Sequence, residues 1–304
     1  MKQKRSYRRR GTPDLPMASY MGTPRLADHP IAEYHPETEI VRVISGQVIL
    51  QIGGERKTFR KDDIFVIPSN MIHCYLFCTE DTKTRTLVFA PEAVAMQSEH
   101  FFQKAFVQPL SEGRLQLPPL LQPGHPVYDQ LCAQFDLLDN CRIFEPDYQI
   151  RRFSVLMAIC TALLPYCTQI AGDQPGANPG NDAVKLCMRY IHNHLSEKIT
   201  LDDLGQYCHL HANYLCALFK KYTGQTIFEF LTRYRIEAAT QLLKSEDLPA
   251  GKVAELVGFR SESLFYRKFI PSLPNACPSP TVVVVLPSPA GVGLIAVTRI
   301  NLPS

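Results

Sequence analysis

The chain has 304 residues, of which 20% are charged, and a formal net charge of +3, as in globular proteins of about two domains. So small a net charge excludes binding of nucleic acid through bulk positive charge, and a DNA-binding surface would have to be arranged locally. No apolar run approaches the roughly 20 residues of a membrane span, and the ten cysteines form no Cys-x-x-Cys pair. We therefore predict a cytoplasmic protein with reduced thiols and no membrane partner.

The region 26–115 has the alternating pattern of short strands. Apolar residues recur at every second position in Val48, Leu50 and Ile52, and Gly53-Gly54 is a hairpin-turn signal. Several short strands with closely spaced turns predict a small barrel or a double-sheet jelly roll.

Four polar residues of this region have the spacing of a ligand site. Glu33-x-His35-x-x-x-Glu39 and the later His73 follow the two motifs of the cupin barrels, which this region resembles. The four side chains either bind a small effector, hold a divalent metal, or are satisfied barrel residues. We predict an effector site of Glu33, His35, Glu39 and His73, with no metal, no cofactor and no catalytic residue.

Helical spacing appears in the segment 116–170. Two apolar stripes are predicted there, one from Tyr128 to Leu138 and one from Ile150 to Leu164. Such faces pack either against the barrel or against a second subunit. We predict that this segment forms the interface of a homodimer.

Residues 181–269 hold two copies of one pattern, separated by a longer helix over 226–243. Each copy has a short amphipathic helix, a tight turn and a second helix with aromatic anchors. In the first copy, the buried stripe of the second helix is predicted to consist of Tyr214, Leu215, Leu218, Phe219 and Tyr222. Thr200 is predicted to cap the first short helix, and His211 the helix that follows it. The region carries 12 Lys and Arg residues against 10 Asp and Glu residues, so its basic surface must be local.

The spacing of these residues resembles the AraC family of transcription regulators. The segments that carry the resemblance are Tyr214-Leu215-x-x-Leu218-Phe219-Lys220-Lys221-x-Thr223-Gly224, Phe230-Leu231-x-x-Tyr234-Arg235-Ile236-Glu237-Ala238-Ala239-x-x-Leu242-Leu243 and Val253-Ala254-Glu255-x-Val257-Gly258-Phe259. The resemblance implies two helix-turn-helix units that read neighbouring major grooves. It also implies a sensor domain whose ligand changes promoter binding or contact with RNA polymerase.

Side chains that face away from the predicted buried stripes form the candidate DNA-binding set. They are His211, Asn213, Cys216, Ala217, Lys220, Lys221, Arg235, Arg260, Ser261, Glu262 and Arg267. Asn, Lys and Arg contact base edges and phosphates, whereas a solvated surface role is the alternative for each residue alone. As a set, they indicate binding of double-stranded promoter DNA.

Three positions differ from the two family patterns in the same way. Asp62 and Asn70 stand where the cupin motif has glycines, and His209 stands where the AraC family usually has one.

Three segments lack periodicity. Residues 1–25 predict a mobile basic arm, and 171–180 a linker. The family pattern stops after Phe269, so the second helix-turn-helix unit is predicted to be incomplete and 270–304 to be a disordered tail. Within that tail, Val282–Leu286 is a β-prone run.

The sequence thus predicts an α+β protein. A cupin-like β-barrel and a helical dimerisation segment precede an all-α DNA-binding domain over 181–269. The predicted function is ligand-responsive transcription regulation, with a sugar or small metabolite as effector and no enzymatic activity. The alternative is a cupin-type metal-binding protein or enzyme fused to a DNA-binding module.

Overall fold

The computed structural model describes residues 11, 15–23, 31–95, 101–139, 141, 145–170, 178–245, 248–270, 281–287 and 294–301. The chain divides into two compact units. One comprises Met1–Arg25 and Glu33–Asp182, and the other comprises Leu26–Ala32 and Ala183–Ser304. Most of the predicted linker, residues 171–177, lies outside the described residues.

The described residues of the first unit form three antiparallel sheets. Its strands are β1 (Met17–Gly22), β2 (Thr38–Ser45), β3 (Gln47–Ile52), β4 (Glu55–Arg60), β5 (Ile64–Ile67), β6 (His73–Cys78), β7 (Lys83–Phe89), β8 (Leu115–Gln116), β9 (Leu120–Leu121) and β10 (Thr168–Gln169). One of the sheets is formed only by the short strands β8 and β10. The five-stranded sheet has the order β1-β7-β2-β5-β9, and the three-stranded sheet has the order β4-β3-β6. The predicted hairpin turn Gly53-Gly54 joins β3 to β4, and both glycines have positive φ.

Alternation along the strands separates two hydrophobic cores. On β5, Phe65 and Ile67 join the core that also holds Val41, Val43 and the apolar residues of β3. Their neighbours Ile64 and Val66 join the other core, which the helices cover. Because both faces of β5 are buried, its sequence is apolar at every position.

β1 lies within the segment predicted as a mobile arm. It pairs with β7 from Met17↔Phe89 to Gly22↔Thr84, and Met17 is buried. The prediction of an arm is therefore wrong for residues 17–22. Tyr20 and Met21 remain exposed on this edge strand. The strand therefore lacks the alternation of buried and exposed residues that would mark it in the sequence.

Helices α1 (Gln108–Ser111), α2 (Tyr128–Asp139) and α3 (Tyr148–Leu163) follow the sheets. The first predicted stripe lies on α2, where Tyr128, Leu131, Phe135 and Leu138 are buried. The second stripe is displaced, because on α3 the buried side begins near Arg152 and Val155. As a result, Ile150 is 70% exposed, and Phe153 is also exposed.

The second unit contains two pairs of short helices and a long helix between them. After α4 (Pro179–Asn193), which begins in the first unit, come α5 (Leu201–Cys208), α6 (Ala212–Thr223), α7 (Ile227–Ser245), α8 (Ala250–Leu256) and α9 (Glu262–Phe269). The α5–α6 and α8–α9 pairs are the two predicted helix-turn-helix units, and α7 is the predicted longer helix.

Local side chains fix where these helices begin. Thr200 and Asp203 form a capping box at α5, and His211 Nδ1 accepts from the Asn213 amide at the start of α6. Both caps are as predicted. The side-chain cap of α4 is Asn178, whose Oδ1 accepts from the Asn181 amide at 3.1 Å.

All three described non-glycine residues with positive φ occupy positions where the resembled families have glycine. They are Asp62 (φ 71°), Asn70 (φ 58°) and His209 (φ 53°). The backbone therefore keeps the left-handed conformation of the family turns even though the glycine is absent. Asp and Asn adopt this conformation more readily than other side chains, and His209 carries the larger strain.

The second helix-turn-helix unit keeps a packed core despite the break in the family pattern after Phe269. Phe265 and Phe269 are fully buried in a cluster with Ile236, Ala239 and Val253. Both rings therefore have apolar partners within the unit.

Part of the tail forms two paired strands, β11 (Thr281–Pro287) and β12 (Leu294–Asn301). Over these strands the prediction of disorder does not match the structure, since the β-prone run Val282–Leu286 lies within β11. Among the described residues, no helix is both long and apolar enough to cross a membrane.

The nine described cysteines are free thiols, and Cys277 lies outside the described residues. Cys187 of α4 and Cys208 of α5 are both buried, and the Cys208 thiol points at the Ala183 carbonyl. The hydrogen bond between the two thiols and burial raise the pKa of Cys187.

Candidate DNA-binding surface and buried histidine cluster

Two histidines and a glutamate meet inside the first unit. Glu39 lies on β2, His73 begins β6, and His35 lies in the segment that leads into β2. All three side chains are buried, with exposed fractions of 4% for His35, 3% for Glu39 and 1% for His73. One ligand atom from each lies within 4.8 Å of the other two, so the structure brings these three predicted residues together.

Backbone carbonyls orient both imidazole rings. His35 Nδ1 lies 3.2 Å from the Glu37 carbonyl, and His73 Nδ1 lies 3.0 Å from the Met71 carbonyl. Because a carbonyl only accepts, both Nδ1 atoms carry a hydrogen, so each Nε2 atom presents a lone pair when its ring is neutral. Neither Nε2 makes a hydrogen bond of good geometry with a described residue, although Glu39 Oε1 lies 3.1 Å from that of His35.

Glu33 stands at the rim of this cluster. Its backbone pairs with His73, but its carboxylate is half exposed and lies 3.7 Å from His73 Nε2. Burial alone would lower the pKa of His73, but the carboxylates of Glu33 and Glu39 outweigh this effect and raise that pKa. The cluster is thus a site of negative potential, which favours a cation or a hydrogen-bond donor.

Sequence reasoning missed Glu37 as a member of the cluster. Its carboxylate is buried and lies 3.4 Å from His35 Nδ1. A carboxyl group two residues after a candidate ligand was the available signal, since the extended chain turns back at Pro36 and Glu37.

The exposed side of α6 is the first candidate DNA surface. Asn213, Ala217, Lys220 and Lys221 are exposed, and Cys216 is half-buried. Leu215, Phe219 and Tyr222 on the opposite side are buried, which fixes the helix in the unit. Tyr214, predicted to be buried, is 59% exposed beside Asn213, so the surface has a phenol that sequence reasoning missed.

Two predicted contacts at α9 are engaged within the unit. The Ser261 hydroxyl caps α9 by accepting from the Leu264 amide at 3.2 Å. Glu262 accepts from the Tyr266 hydroxyl at 3.0 Å and lies against Gly251 of α8. Arg260 and Arg267 are exposed and remain available to a ligand.

Arg235 of α7 holds the unit together. Its guanidinium donates to the carbonyls of Leu195 at 2.9 Å and Glu197 at 2.7 Å, and it lies against Gly258 in the turn between α8 and α9. A Cβ atom at Gly258 would come within 2.5 Å of the Leu195 carbonyl, and this glycine has φ 88°. Arg235, predicted to contact DNA, therefore also positions the second turn against the segment that follows α4.

Comparison with known proteins identifies both units. A helix-turn-helix domain family matches residues 204–271, and a cupin domain family matches residues 26–90. The helix-turn-helix match includes α9.

Curated relatives are transcription regulators. The chain is 22% identical to the HTH-type transcriptional activator Btr of Bacillus subtilis over 80% of its own length, but it spans only 42% of the length of Btr. It is 25% identical to the HTH-type transcriptional regulator YdeC of Bacillus subtilis, over 85% of this chain and 89% of YdeC. A solved structure of ToxT from Vibrio cholerae is 12% identical, covers 86% of this chain and 95% of its own, and has a TM-score of 0.40.

Proposed function

We propose that this chain, a transcription regulator with a cupin domain and a DNA-binding domain of the AraC type, reads promoter DNA through α6 and α9 and responds to a ligand in its cupin domain. The observation that carries the proposal is the exposed side of α6, where short polar and basic side chains lie opposite a buried aromatic stripe. A helix with this distribution enters a major groove without unfolding its unit.

The two recognition helices differ in what they offer DNA. Asn213 is suited to adenine, whereas Ala217 and Tyr214 offer apolar contact and a hydroxyl group. On α9, Arg267 is suited to guanine. Lys220 and Lys221 lie at the end of α6 and are suited to phosphates, which position the protein without reading sequence.

In vitro selection from random duplexes, followed by affinity measurements, tests the proposal. Arg267→Ala and Asn213→Ala should each lower the preference for the selected sequence by about 1–3 kcal/mol. Lys220→Ala should weaken selected and random duplexes alike. Arg56→Ala, an exposed change in the first unit, is the matched control. Failure of the parent protein to enrich any sequence would sink the proposal.

The effector site is proposed at Glu33, His35, Glu39 and His73, with a sugar or related small metabolite as ligand. Buried carboxylates can accept hydrogen bonds from hydroxyl groups, which supports this class. Screening sugars by thermal unfolding tests it, with Glu39→Gln as the variant that should lose any stabilisation. A sugar that stabilises both proteins equally would place its site elsewhere.

A second candidate is a divalent metal ion at the same cluster, as a regulatory ligand. Two Nε2 lone pairs beside a carboxylate, each ring held by its Nδ1–H on a carbonyl, form the donor set and the outer support that metal-binding histidines have. His35, Glu39 and His73 would hold the ion, with Glu33 at the rim. An ion bound there would neutralise the cluster and stiffen the start of β2 and β6.

Metal analysis of the purified protein separates the two ligands. If the metal candidate holds, about one ion per chain binds and His35→Ala with His73→Ala removes it, while Glu55→Ala, an exposed carboxylate on β4, leaves it bound. A chelator should also lower the melting temperature of the parent but not of the double variant. Equal melting temperatures with and without the chelator would contradict metal binding.

The proposal includes a homodimer formed through residues 116–170 and, for an activator, a contact with RNA polymerase. Exposed Ile150 and Phe153 on α3 support the dimer, because apolar side chains on one helix face gain from burial against a second copy. Sedimentation of Ile150→Glu should show dissociation, and Arg151→Glu serves as a charge control on the same helix. Parent protein that stays monomeric at high concentration would contradict the dimer.

A further inference from the structure

An open groove of about 250 Å³ runs between α7 and α9 of the second unit. Its lining consists of Thr232, Arg235, Phe259, Arg260, Leu264 and Lys268. Three of these six side chains are cationic and none is acidic. The lining itself therefore leaves the positive charge of the groove unbalanced.

The three cations are not equivalent. The Arg235 guanidinium is fixed by its two carbonyl partners. Burial and, after it, the charge of Arg260 lower the pKa of Arg235, so the two guanidinium groups interact unfavourably. Arg260 and Lys268 are exposed and make no hydrogen bond or ion pair with another described residue. An anion between them would relieve the repulsion.

The groove continues toward the first helix-turn-helix unit. A second groove, of about 410 Å³, shares Arg235 and Arg260 with the first and adds Lys198 from the segment between α4 and α5. Each of its two carboxylates already lies beside a nitrogen that can donate a hydrogen bond. Glu197 lies 3.1 Å from His194 Nδ1, and Glu255 lies 2.7 Å from Lys252 Nζ. The basic character therefore extends along α7.

The position of the groove relative to α9 identifies its ligand. Ser263 and Arg267 share one side of α9, opposite buried Phe265 and Phe269, and Leu264 and Lys268 form the adjacent flank toward α7. A duplex that meets Arg267 would bring a strand of its backbone along that flank. DNA has a phosphate at every nucleotide, whereas base edges cannot reach a groove beside the helix.

We propose that Arg260 and Lys268, above the fixed Arg235, bind a phosphate group, and that its source is the backbone of DNA between the two recognition helices. This inference rests on the proposed function. Arg260 and Lys268 form a phosphate clamp, which holds the DNA strand through its backbone and does not contact base edges. A free phosphorylated metabolite is the other source of the same chemistry, and the test separates the two.

The test uses the full-length chain and a duplex of random sequence. The dissociation constant is measured from low to moderate salt for the parent, Arg260→Gln, Lys268→Gln and the double variant. The logarithmic salt dependence falls by about 0.9 for each phosphate contact that is lost. It should therefore fall by about 0.9 in the double variant, and by no more than that in either single variant. Arg56→Gln removes a charge from the first unit and should keep the parent slope. Thermal unfolding verifies that all variants remain folded.

A second arm titrates inorganic phosphate and follows the melting temperature. Loss of slope on DNA supports the clamp. An unchanged slope, together with a phosphate-dependent rise in melting temperature that the double variant loses, supports a phosphate site filled by a free metabolite. An unchanged slope without that rise overturns the proposal. Absence of DNA binding by the parent itself would instead refute the proposed function, so the two failures are distinguishable.

Discussion

The two helix-turn-helix units have similar folds but are stabilised by different contacts. Side chains cap both helices of the first unit, at Thr200 and at His211. In the second unit Ser261 caps α9, but α8, which begins at Ala250, has no side-chain cap. The second unit instead depends on packing against α7 and on Arg235, which holds its turn at Gly258. Local signals thus define the first unit, and long-range contacts define the second.

Charge is distributed in the opposite sense. The side of α6 that faces away from the core has neutral Asn213, Tyr214 and Ala217 near its start, whereas α9 has Arg267 and Lys268 with Arg260 just before it. Residues 249–269 hold four Lys or Arg residues against two Glu residues, whereas residues 201–224 hold two Lys residues against two Asp residues. The second unit therefore has the more positive net charge.

Removing an aromatic anchor should have the largest effect. Phe219→Ala in the first unit and Phe265→Ala in the second should each lower the free energy of unfolding by about 3–5 kcal/mol, because both rings are fully buried. Chemical denaturation measures the change, with exposed Phe228→Ala as the control. A loss below about 1 kcal/mol for Phe265→Ala alone would mean that the second unit is not packed in solution.

Removing a cap should have an intermediate effect that differs between the units. Thr200→Ala should cost about 0.5–2 kcal/mol, because the hydroxyl accepts from Asp203 in a reciprocal pair. Ser261→Ala should cost less, since it removes a single cap bond to Leu264. Urea titration checks the order, with exposed Ser263→Ala as the control. A larger loss for Ser261→Ala would reverse the contrast between the units.

The smallest effect is a gain in stability. His209→Gly relieves a left-handed residue strain of about 1–2 kcal/mol but adds about 0.4–1 kcal/mol of chain entropy to the unfolded state. We expect a rise in melting temperature that corresponds to less than about 1 kcal/mol. Gly258→Ala should have the opposite sign, because its Cβ would meet the Leu195 carbonyl. A destabilised His209→Gly variant would show that the imidazole itself has a stabilising role.

Period, caps and motif spacing predicted the fold well, because these signals are local. The alternation from Val48 to Ile52, the Gly53-Gly54 turn and the Thr200 cap all appear where the sequence places them. β1 was missed because its partner β7 lies about 65 residues away and half of the strand is exposed. No pattern within a short stretch of sequence indicates that two strands so far apart in the chain will pair.

The candidate sites were predictable in residue type but not in role. The side chains of His35, Glu39 and His73 do lie together. The spacing of the motif predicts β2, the segment before it and β6, on which these residues lie. The carbonyl partners of Arg235 depend on how α7 packs against the segment after α4, which the sequence leaves open. Ser261 and Glu262 instead bond to residues three and four positions along the chain. Tyr214 was predicted to be buried because aromatic residues at helical spacing usually are. The buried side of α6 is instead formed by Leu215, Phe219 and Tyr222, and Tyr214 is exposed.

The buried thiols of Cys187 and Cys208 have a consequence for experiment. Because burial and their mutual hydrogen bond keep Cys187 in the protonated form, an alkylating reagent reaches it only when α4 and α5 separate. The half-buried thiol of Cys216 reacts without that separation. The ratio of the Cys187 labelling rate to the Cys216 labelling rate therefore measures how often the first unit opens. Both residues are native, and mass spectrometry can follow their labelling.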